Sequence, residues 1–448
     1  MIGSKELNFF QNQFDDLSQK NKVEFDFYAY ENKSHCISFE KQKLKNYSSS
    51  EDKNLALRVS NEDQSGVSYT KDFSKESLKT CFQQALNSLK ISDKKERGET
   101  SFNQEYKNME SELYDPKLSS VKLAEKLEKV KSMDQSSLSV DDRIQPAFNV
   151  AQDQESSLIF GNNKQAQGRY KTNEVFAYSY SLAIDKNHRS QGITQKNSRN
   201  YTKIDFKKLG EDSARKSLKK LRFSIPQTKR YSVVFEAGQA SSTLVSILLS
   251  HLNGKNIYDN LSLLKNSLNQ KKLSSLVSLY DDPFAIWGAS SAPFDGEGFA
   301  SQKTDLVKQG VIQNYLTNSF VSKKLKVPHT SKAFRSDNGL VTVGSTNAVM
   351  EEGQDSFSSL VQNDSKVIVI DMLKGMAGYN AISGDFSIES EGFLWDRGES
   401  QAICQFTVSG NLIDVFARIS KVANDSLVYN GSYKIPSFFV PELSIAGS

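Results

Sequence analysis

Apolar side chains in the first half of the chain recur with two different periods. In four segments they return at every third or fourth position, which predicts amphipathic helices at about residues 5–19, 74–89, 123–130 and 205–221. Elsewhere they alternate with polar residues or form short β-branched runs, which predicts strands. The predicted strands cover residues 23–27, 34–39, 55–60, 66–70, 146–150, 158–160 and 175–184. Helix, meander and helix in succession predict a two-layer α/β domain.

The second half has few helix patterns and many short apolar runs separated by glycine, which predicts a mostly antiparallel, barrel-like β domain. Its clearest helix pattern comes first. A β-branched run at 232–235 predicts a core strand, and apolar residues at helical spacing then form one stripe over 244–252. Polar side chains at 239–243 can cap the start of this helix, and Asn253 with Gly254 predicts a left-handed end.

A short proline-containing segment separates the two halves. Residues 224–227 read Ser-Ile-Pro-Gln, and a proline favours the end of the preceding helix. We therefore predict an α+β fold with an N-terminal domain at residues 1–225 and a β-rich C-terminal domain at residues 230–448. Residues 91–114 are polar and charged, which predicts an exposed loop.

Composition limits the classes of function. The 448 residues are enough for two or three domains with a sizeable core. Lys and Arg number 57 against 53 Asp and Glu, and the net charge of +4 is spread along the chain, so nucleic acid is not expected as a partner. The longest apolar runs have only strand length, so no membrane contact is expected either. Three widely spaced cysteines without a CxxC pair fit buried thiols in the cytoplasm.

The helix at 239–252 follows a core strand, a place where a hydrolase, for example a zinc protease, could hold its metal. Such a helix needs two histidines on one face and a carboxylate as general base, as in His-Glu-x-x-His and its one-residue-longer relatives. Here only His251 is present, because Ser246 and Ile247 stand at the positions of the second histidine and the base. One imidazole cannot make a zinc site. The simplest interpretation of His251 is a last-turn histidine that the helix dipole favours.

Two carboxylates form the other candidate site. Asp295 and Glu297 are two residues apart, so on a strand they would face the same side and could act as an acid–base pair. The flanking glycines favour instead a tight turn whose acids accept backbone amides. A serine triad built on residues 383–385 lacks a base in the neighbouring sequence, and no GxGxxG or P-loop pattern supports a nucleotide site.

Many motifs of the second half resemble, in the same order, those of the TldD/PmbA family, once described as modulators of DNA gyrase. They lie at residues 281–283, 292–298, 307–312, 314–316, 322–325, 383–387, 391–393, 409–412, 424–425 and 436–437. The resemblance covers residues 205–448 well. It extends to the first half more loosely, through Leu57-Arg58-Val59 and the helix after Ser74.

The family that this chain resembles has two types of member. TldD-type members carry His-Glu-x-x-x-His on the helix that corresponds to residues 244–252, and they form a cytoplasmic metalloprotease that degrades peptides. PmbA/TldE-type members lack these ligands and pair with the TldD type. Ser246 and Ile247 place this chain with the second type.

Two functions therefore stay open. The favoured one is a subunit that carries no cofactor, pairs with a TldD-like protease subunit that holds the zinc, and helps to enclose the site for unfolded peptides. Without that partner the chain is expected to associate with itself as a homodimer. The alternative is a peptidase in its own right, whose site combines His251 with Asp295 or Glu297. These three residues are the binding candidates, and no catalytic or metal-ligating residue is assigned.

Overall fold

The computed structural model describes residues 1–62, 64–92, 98–362 and 366–447. The helices of the first half are α1 (Ser4–Asn21), α2 (Lys75–Ile91), α3 (Glu110–Leu113), α4 (Lys117–Ser120), α5 (Leu123–Leu138) and α6 (Phe206–Lys220), with a 3₁₀ turn at Tyr201–Lys203. Its strands are β1 (Glu24–Glu40), β2 (Lys43–Ser60), β3 (Ser65–Thr70), β4 (Ile144–Asn162), β5 (Gln167–Asp185) and β6 (His188–Ser198).

The helices of the second half are short except for the first. They are α7 (Gln239–Leu252), α8 (Gly254–Tyr258), α9 (Ser319–Leu325), α10 (Phe357–Val361) and α11 (Leu412–Ala417). The strands are β7 (Lys229–Phe235), β8 (Leu279–Asp281), β9 (Thr304–Lys308), β10 (Val311–Ile312), β11 (Ala333–Arg335), β12 (Val341–Val343), β13 (Ala348–Met350), β14 (Val367–Leu373), β15 (Asp385–Asp396), β16 (Glu399–Asn411), β17 (Lys421–Val422), β18 (Leu427–Tyr429), β19 (Tyr433–Ile435) and β20 (Phe438–Gly447).

One antiparallel sheet organises the first half, in the order β3-β2-β1-β4-β5-β6. Helices α1 and α2 cover one end of it through an apolar core that includes Phe14, Phe27 and Phe82. Helices α5 and α6 cover the other end, where Met133, Ala177 and neighbouring residues are buried. The sheet is longer than the sequence predicts, because β1 continues without a break through the polar residues 31–35, which pair with β2 and β4 on both sides.

A five-stranded barrel organises the second half. Strands β16, β15, β14, β7 and β20 pair in that order, and β20 also pairs with β16, which closes the ring. Four of the pairings are antiparallel, while β7 and β14 run parallel with Val234 opposite Val369. The second half also contains a second sheet, in the order β10-β9-β8-β13-β19-β18, and a hairpin of β11 and β12. The predicted α+β fold with a barrel-like second half is confirmed.

The segment predicted as an exposed loop is partly buried. Residues 93–97 lie outside the described part of the chain, but Thr100, Ser101 and Met109 are at most 6% exposed. Asn162 donates to the Oγ1 of Thr100 and to the carbonyl of Ser101, and Tyr106 donates to the carbonyl of Gly298. The segment therefore packs between the two halves, where its polar groups find partners from both.

No helix within the described residues is long and apolar enough to cross a membrane.

Candidate functional site

Helix α7 begins directly at the carboxyl end of β7. Gly238 has a φ of +119°, a backbone conformation that favours glycine, and it turns the chain from the strand into the helix. The predicted side-chain cap is wrong, since no side chain in the described part of the chain caps α7. Gln239 instead accepts from the N–H and donates to the C=O of Leu373, each at 2.8 Å. These bonds fix the start of α7 against the end of β14.

The far end of α7 also differs from the prediction. Asn253 is extended, with φ −73° and ψ 117°, rather than left-handed. Its side chain accepts the N–H of Lys255 at 2.9 Å and so starts α8 directly after α7. A polar residue that can cap the next helix outweighs the Asn-Gly stop pattern.

His251 lies in the last turn of α7 and is 1% exposed. Its Nδ1 accepts the backbone N–H of Leu263 at 3.3 Å, so the ring proton is on Nε2, which donates to the hydroxyl oxygen of Tyr379. Burial lowers the pKa of His251 and raises that of Tyr379 to about 12. The helix dipole therefore does not hold His251 as a cation, and the imidazole is neutral with both nitrogens engaged.

Asp295 and Glu297 lie in a buried turn. Asp295 Oδ1 accepts the amides of Glu297 and Phe299 at 2.9 and 3.0 Å, and its Oδ2 accepts the amide of Ala333 at 3.2 Å. Glu297 accepts the N–H and the hydroxyl of Ser319, both at 2.9 Å, at the first residue of α9. Both acids accept backbone amides, as the flanking glycines predict.

Arg58 joins this turn to the N-terminal sheet. Its Nη1 lies 3.0 Å from Glu297 Oε1, while its Nε and Nη2 lie 2.8 and 2.7 Å from Asp26 Oδ2. Arg335 of β11 approaches Asp26 from the other side through Nη2. The side chains of these four residues are at most 5% exposed. A buried ion network thus connects β1 and β2 with the second half.

His329 completes the cluster around the turn. Ligand atoms of Asp295, Glu297 and His329 lie within 4.8 Å of one another. Burial and then the charge of Glu297 raise the pKa of Asp295 well above its usual range, and burial lowers the pKa of His329. The carboxyl of Asp295 therefore holds a proton more tightly than usual, and the neighbouring imidazole of His329 holds one less tightly.

Comparison with known proteins identifies the family. Models of the PmbA/TldA metallopeptidase family match domain 1 at residues 25–89, the central domain at 116–221 and the C-terminal domain at 228–447. The chain belongs to the PmbA/TldD metallopeptidase family. The three matches are in the order of the family's domains and together cover most of the chain.

Individual relatives are more distant. The "Metalloprotease PmbA homolog" of Buchnera aphidicola (strain APS) is 27% identical over 65% of this chain and 63% of its own length. The "Metalloprotease PmbA" of Escherichia coli O157:H7 is 29% identical over 53% of this chain and 51% of its own length. The matches thus span about half to under two thirds of these curated relatives.

Solved structures show the same fold over the full chain. A suggested modulator of a DNA gyrase from Thermotoga maritima has a TM-score of 0.90 at 24% identity, with 98% of this chain and 100% of that one covered. TldE from Thermococcus kodakarensis has a TM-score of 0.86 at 17% identity, with 97% and 100% covered.

The residues of α7 do not fit the zinc that a metallopeptidase family implies. Ser246 donates its hydroxyl proton to the carbonyl of Thr243 at 2.7 Å, and Ile247 is 5% exposed within the apolar core. His251, the remaining candidate, has partners on both nitrogens. Zinc needs three or four deprotonated ligands with free lone pairs, and this helix offers none in the observed arrangement.

The Asp295 cluster fits a metal ion poorly as well. His329 Nε2 has no hydrogen-bond partner among the described residues, so it is an open ligand atom. Glu297, however, shares its Oε1 with the guanidinium of Arg58, a fixed positive charge that opposes a cation. Asp295 already accepts three amides. We assign no chemical step to a metal at either place.

The structure does not bring the three binding candidates into one site. The hydrogen-bond partners of His251 are Tyr379 and Leu263, whereas Asp295 and Glu297 lie with His329. Ser383 and Asp385 are exposed where a turn leads into β15, and Asn411 donates to Asp385. Among the described side chains, no histidine is bonded to this turn, so it has no triad.

A second buried ion network was not predicted. Lys220 at the end of α6 lies 2.8 Å from Asp371 and 3.2 Å from Glu391, and Lys374 lies 2.6 Å from Glu391. Burial and then the charge of Asp371 raise the pKa of the nearby Glu236 to about 7. A charged residue directly after an apolar strand, as at Glu236 and Asp371, is the only sequence pattern that points to this network.

Proposed function

We propose that this chain is a metal-free, PmbA/TldE-like subunit that pairs with a TldD-like metalloprotease and helps to enclose the site where that partner degrades peptides. The observation that carries the proposal is the set of residues that α7 has at the positions of the protease motif. Where the protease helix needs histidine, glutamate and histidine, this helix has a hydroxyl bonded to its own backbone, a core isoleucine and a neutral imidazole with no free nitrogen.

The similar proteins also support a PmbA/TldE-like subunit. The matching C-terminal domain model covers 228–447, the part of the chain that contains α7 and the barrel. One relative is described as a TldD homologue, from Haemophilus influenzae, and one solved neighbour as TldE. We therefore propose that zinc belongs to the partner, and that the chain forms a homodimer when the partner is absent. Three unpaired cysteines support placement in the cytoplasm.

A peptidase in its own right is the second candidate. The raised pKa of Asp295 beside His329 favours it, because a carboxyl that exchanges its proton near neutral pH can act as a general acid. Against it, the cluster is occupied by Arg58 and by backbone amides, and His251 contributes nothing to it.

Co-expression with a TldD-type subunit of the same genome, one with an intact His-Glu-x-x-x-His, tests the proposal. Alone, the purified chain should contain no stoichiometric zinc and should not cleave an unstructured peptide. With the partner it should elute as one complex with about one zinc per pair and cleave the peptide.

The matched control replaces the glutamate of the partner's motif with glutamine. This change should abolish cleavage while the complex still forms. Near-stoichiometric zinc and cleavage by the chain alone would refute the proposal and favour the second candidate.

A further inference from the structure

The aromatic residues of β5 point away from the helices that cover the N-terminal sheet. Ser179 points towards α6, where its hydroxyl lies 2.7 Å from that of Ser213. Side chains along a strand alternate between the two faces of the sheet, so the residues at 176, 178 and 180 point the other way. These residues are listed in chain order: Phe176, Tyr178 and Tyr180. All three are half-buried, so each can be reached from outside.

The second half of the chain covers one end of this face. Phe294 packs there against Tyr28 of β1 and Tyr170 of β5, with ring centroids 6.5 and 5.2 Å apart. At the other end, Phe148 of β4 is 46% exposed and Gln152 is exposed as well. The same side of the sheet therefore continues beyond its cover and carries large side chains there.

We call the uncovered part the Phe148 face. Three cross-strand pairs of β4 and β5 define it: Phe148 opposite Tyr180, Val150 opposite Tyr178, and Gln152 opposite Phe176. Ile193 of β6 extends the first of these rows, and Cys36 of β1 extends the third. An antiparallel sheet with one solvated face ordinarily carries polar residues on that face. Aromatic and aliphatic residues at these positions therefore indicate an interaction surface.

The Phe148 face is uncharged. The nearest carboxylate on this side of β5 is that of Glu174, which accepts from the side-chain amide of Asn197. No lysine, arginine or aspartate occupies an outward position within 148–154, 174–182 or 191–197. A charged partner surface would have to bury its ions against apolar rings, which is costly. The face therefore fits an uncharged, apolar surface.

A second copy of the same face meets this requirement. In a two-fold interface the same patch is used by both subunits, so a surface without charge does not repel itself. Four strands about 4.8 Å apart, with about eight residues of ~3.3 Å each, give roughly 500 Å² of flat area per copy. Two copies bury on the order of 1,000 Å² before the relief of the side chains is added, which is close to the ~1,200 Å² where specific interfaces begin. We therefore expect a dimer that dissociates reversibly.

We propose that the Phe148 face binds the Phe148 face of a second copy of this chain, so that two N-terminal sheets pack face to face across a two-fold axis. The inference deepens the proposed function, because it assigns a surface to the self-association proposed for the chain without its partner. It does not depend on the pairing with the TldD-type subunit.

Light scattering on the purified chain over a wide range of concentrations tests the inference. The wild-type chain should change from one to two chains per particle as the concentration rises. Phe148→Lys places a charge on the face and should raise the dissociation constant of the dimer at least ten-fold. The matched Tyr69→Lys changes an aromatic residue that is 51% exposed on the edge strand β3, and it should leave the dissociation constant unchanged. A wild-type chain that stays monomeric, or equal dissociation constants for the two variants, would overturn the inference.

A cross-linking measurement does not require a variant that disrupts the face. Benzoylphenylalanine replaces the exposed Gln152, and light chains are mixed with chains that carry a heavy isotope. Irradiation should join light to heavy chains, with the products at residues of the Phe148 face. Cross-links at another surface, or within single chains only, would contradict the proposed interface.

Other occupants give different results. If the probe at position 152 labels an added unstructured peptide or the TldD-type subunit but never a second copy, the inference fails. A homodimer that Phe148→Lys leaves intact contradicts this inference alone. If Phe148→Lys dissociates the homodimer but the wild-type chain does not pair with the TldD-type subunit, only the proposed pairing is contradicted.

Discussion

Glu236 makes the stability of this protein depend on pH in a way that one substitution can isolate. Its carboxyl lies between β7 and α7, where burial and then the charge of Asp371 raise its pKa to about 7. In the unfolded chain the pKa of a glutamate is about 4.3. The native state therefore keeps a proton that the unfolded state releases, and it loses stability as the pH rises from about 4.5 to 7.

Glu236→Gln removes this titration and keeps the size of the side chain. With a native pKa of about 7 and an unfolded pKa of about 4.3, the slope reaches at most ~1.4 kcal/mol per pH unit, and the change summed from pH 5 to pH 8 is about 2.5 kcal/mol. We expect the free energy of unfolding of the variant, relative to wild type, to rise by about 2.5 kcal/mol from pH 5 to pH 8. Urea denaturation at both pH values measures it.

The difference from wild type is the useful quantity because other groups titrate in the same range. His251 and His329 have pKa values lowered by burial, so their contributions to stability rise with pH and oppose that of Glu236. Both histidines are present in the variant and in the wild type, so their contributions cancel in the comparison.

Asp385→Asn is the matched control. Asp385 is exposed, and hydrogen bonds from Asn411 and Ser383 lower the pKa of its carboxyl, so it titrates below the range studied. Its effect on stability should be the same at pH 5 and pH 8. If Glu236→Gln also shows no change between the two pH values, the carboxyl is not protonated in the native state at pH 5 to 7 and the burial argument fails.

Three further predictions concern the buried contacts. Arg58→Met should destabilise the chain by about 3–5 kcal/mol in denaturant titration, since it removes the cation from the buried Glu297 and leaves Asp26 with Arg335 alone, while Lys33→Met at an exposed pair should change little. The double variant Ser246→His and Ile247→Glu should melt at lower temperature and cleave no peptide, because an unpaired buried carboxylate costs several kcal/mol; a zinc-dependent rise in Tm together with cleavage would contradict this. Tyr379→Phe should cost ~1–3 kcal/mol in the same denaturant titration, because it leaves the buried imidazole N–H without an acceptor.

Local apolar patterns predicted most of the elements but not their extent. The periodicities found α1, α2, α5, α6 and α7, because each buries one stripe against a sheet or a core. They missed β6, which reads HRSQGITQKNS, since a polar edge strand is stabilised by its pairing with β5 rather than by its own side chains.

The candidate site was predicted less well because its residues come together only through the fold. The turn at Asp295 and Glu297 follows from the neighbouring glycines, but its contact with Arg58 spans more than half the chain. Arg58 stands between Leu57 and Val59 in an apolar strand, and Asp26 stands between Phe25 and Phe27. The sequence therefore shows a charged residue within each of two apolar strands. A charge within an apolar strand predicts that the residue forms a buried ion pair, but it does not predict which residue is the partner.

The closed barrel has a consequence for how the chain folds. Val234 of β7 pairs with Val369 on one side and with Phe439 on the other, a separation of roughly 200 residues along the chain for the second pair, and such distant pairings form slowly. The N-terminal sheet contains hairpins between neighbouring strands, such as β1 with β2 and β4 with β5. On the ribosome, we therefore expect this sheet to form while synthesis continues. We expect β7 and α7 to stay apolar and unpaired until β14 has emerged, and the ring of strands to close only when β20 follows.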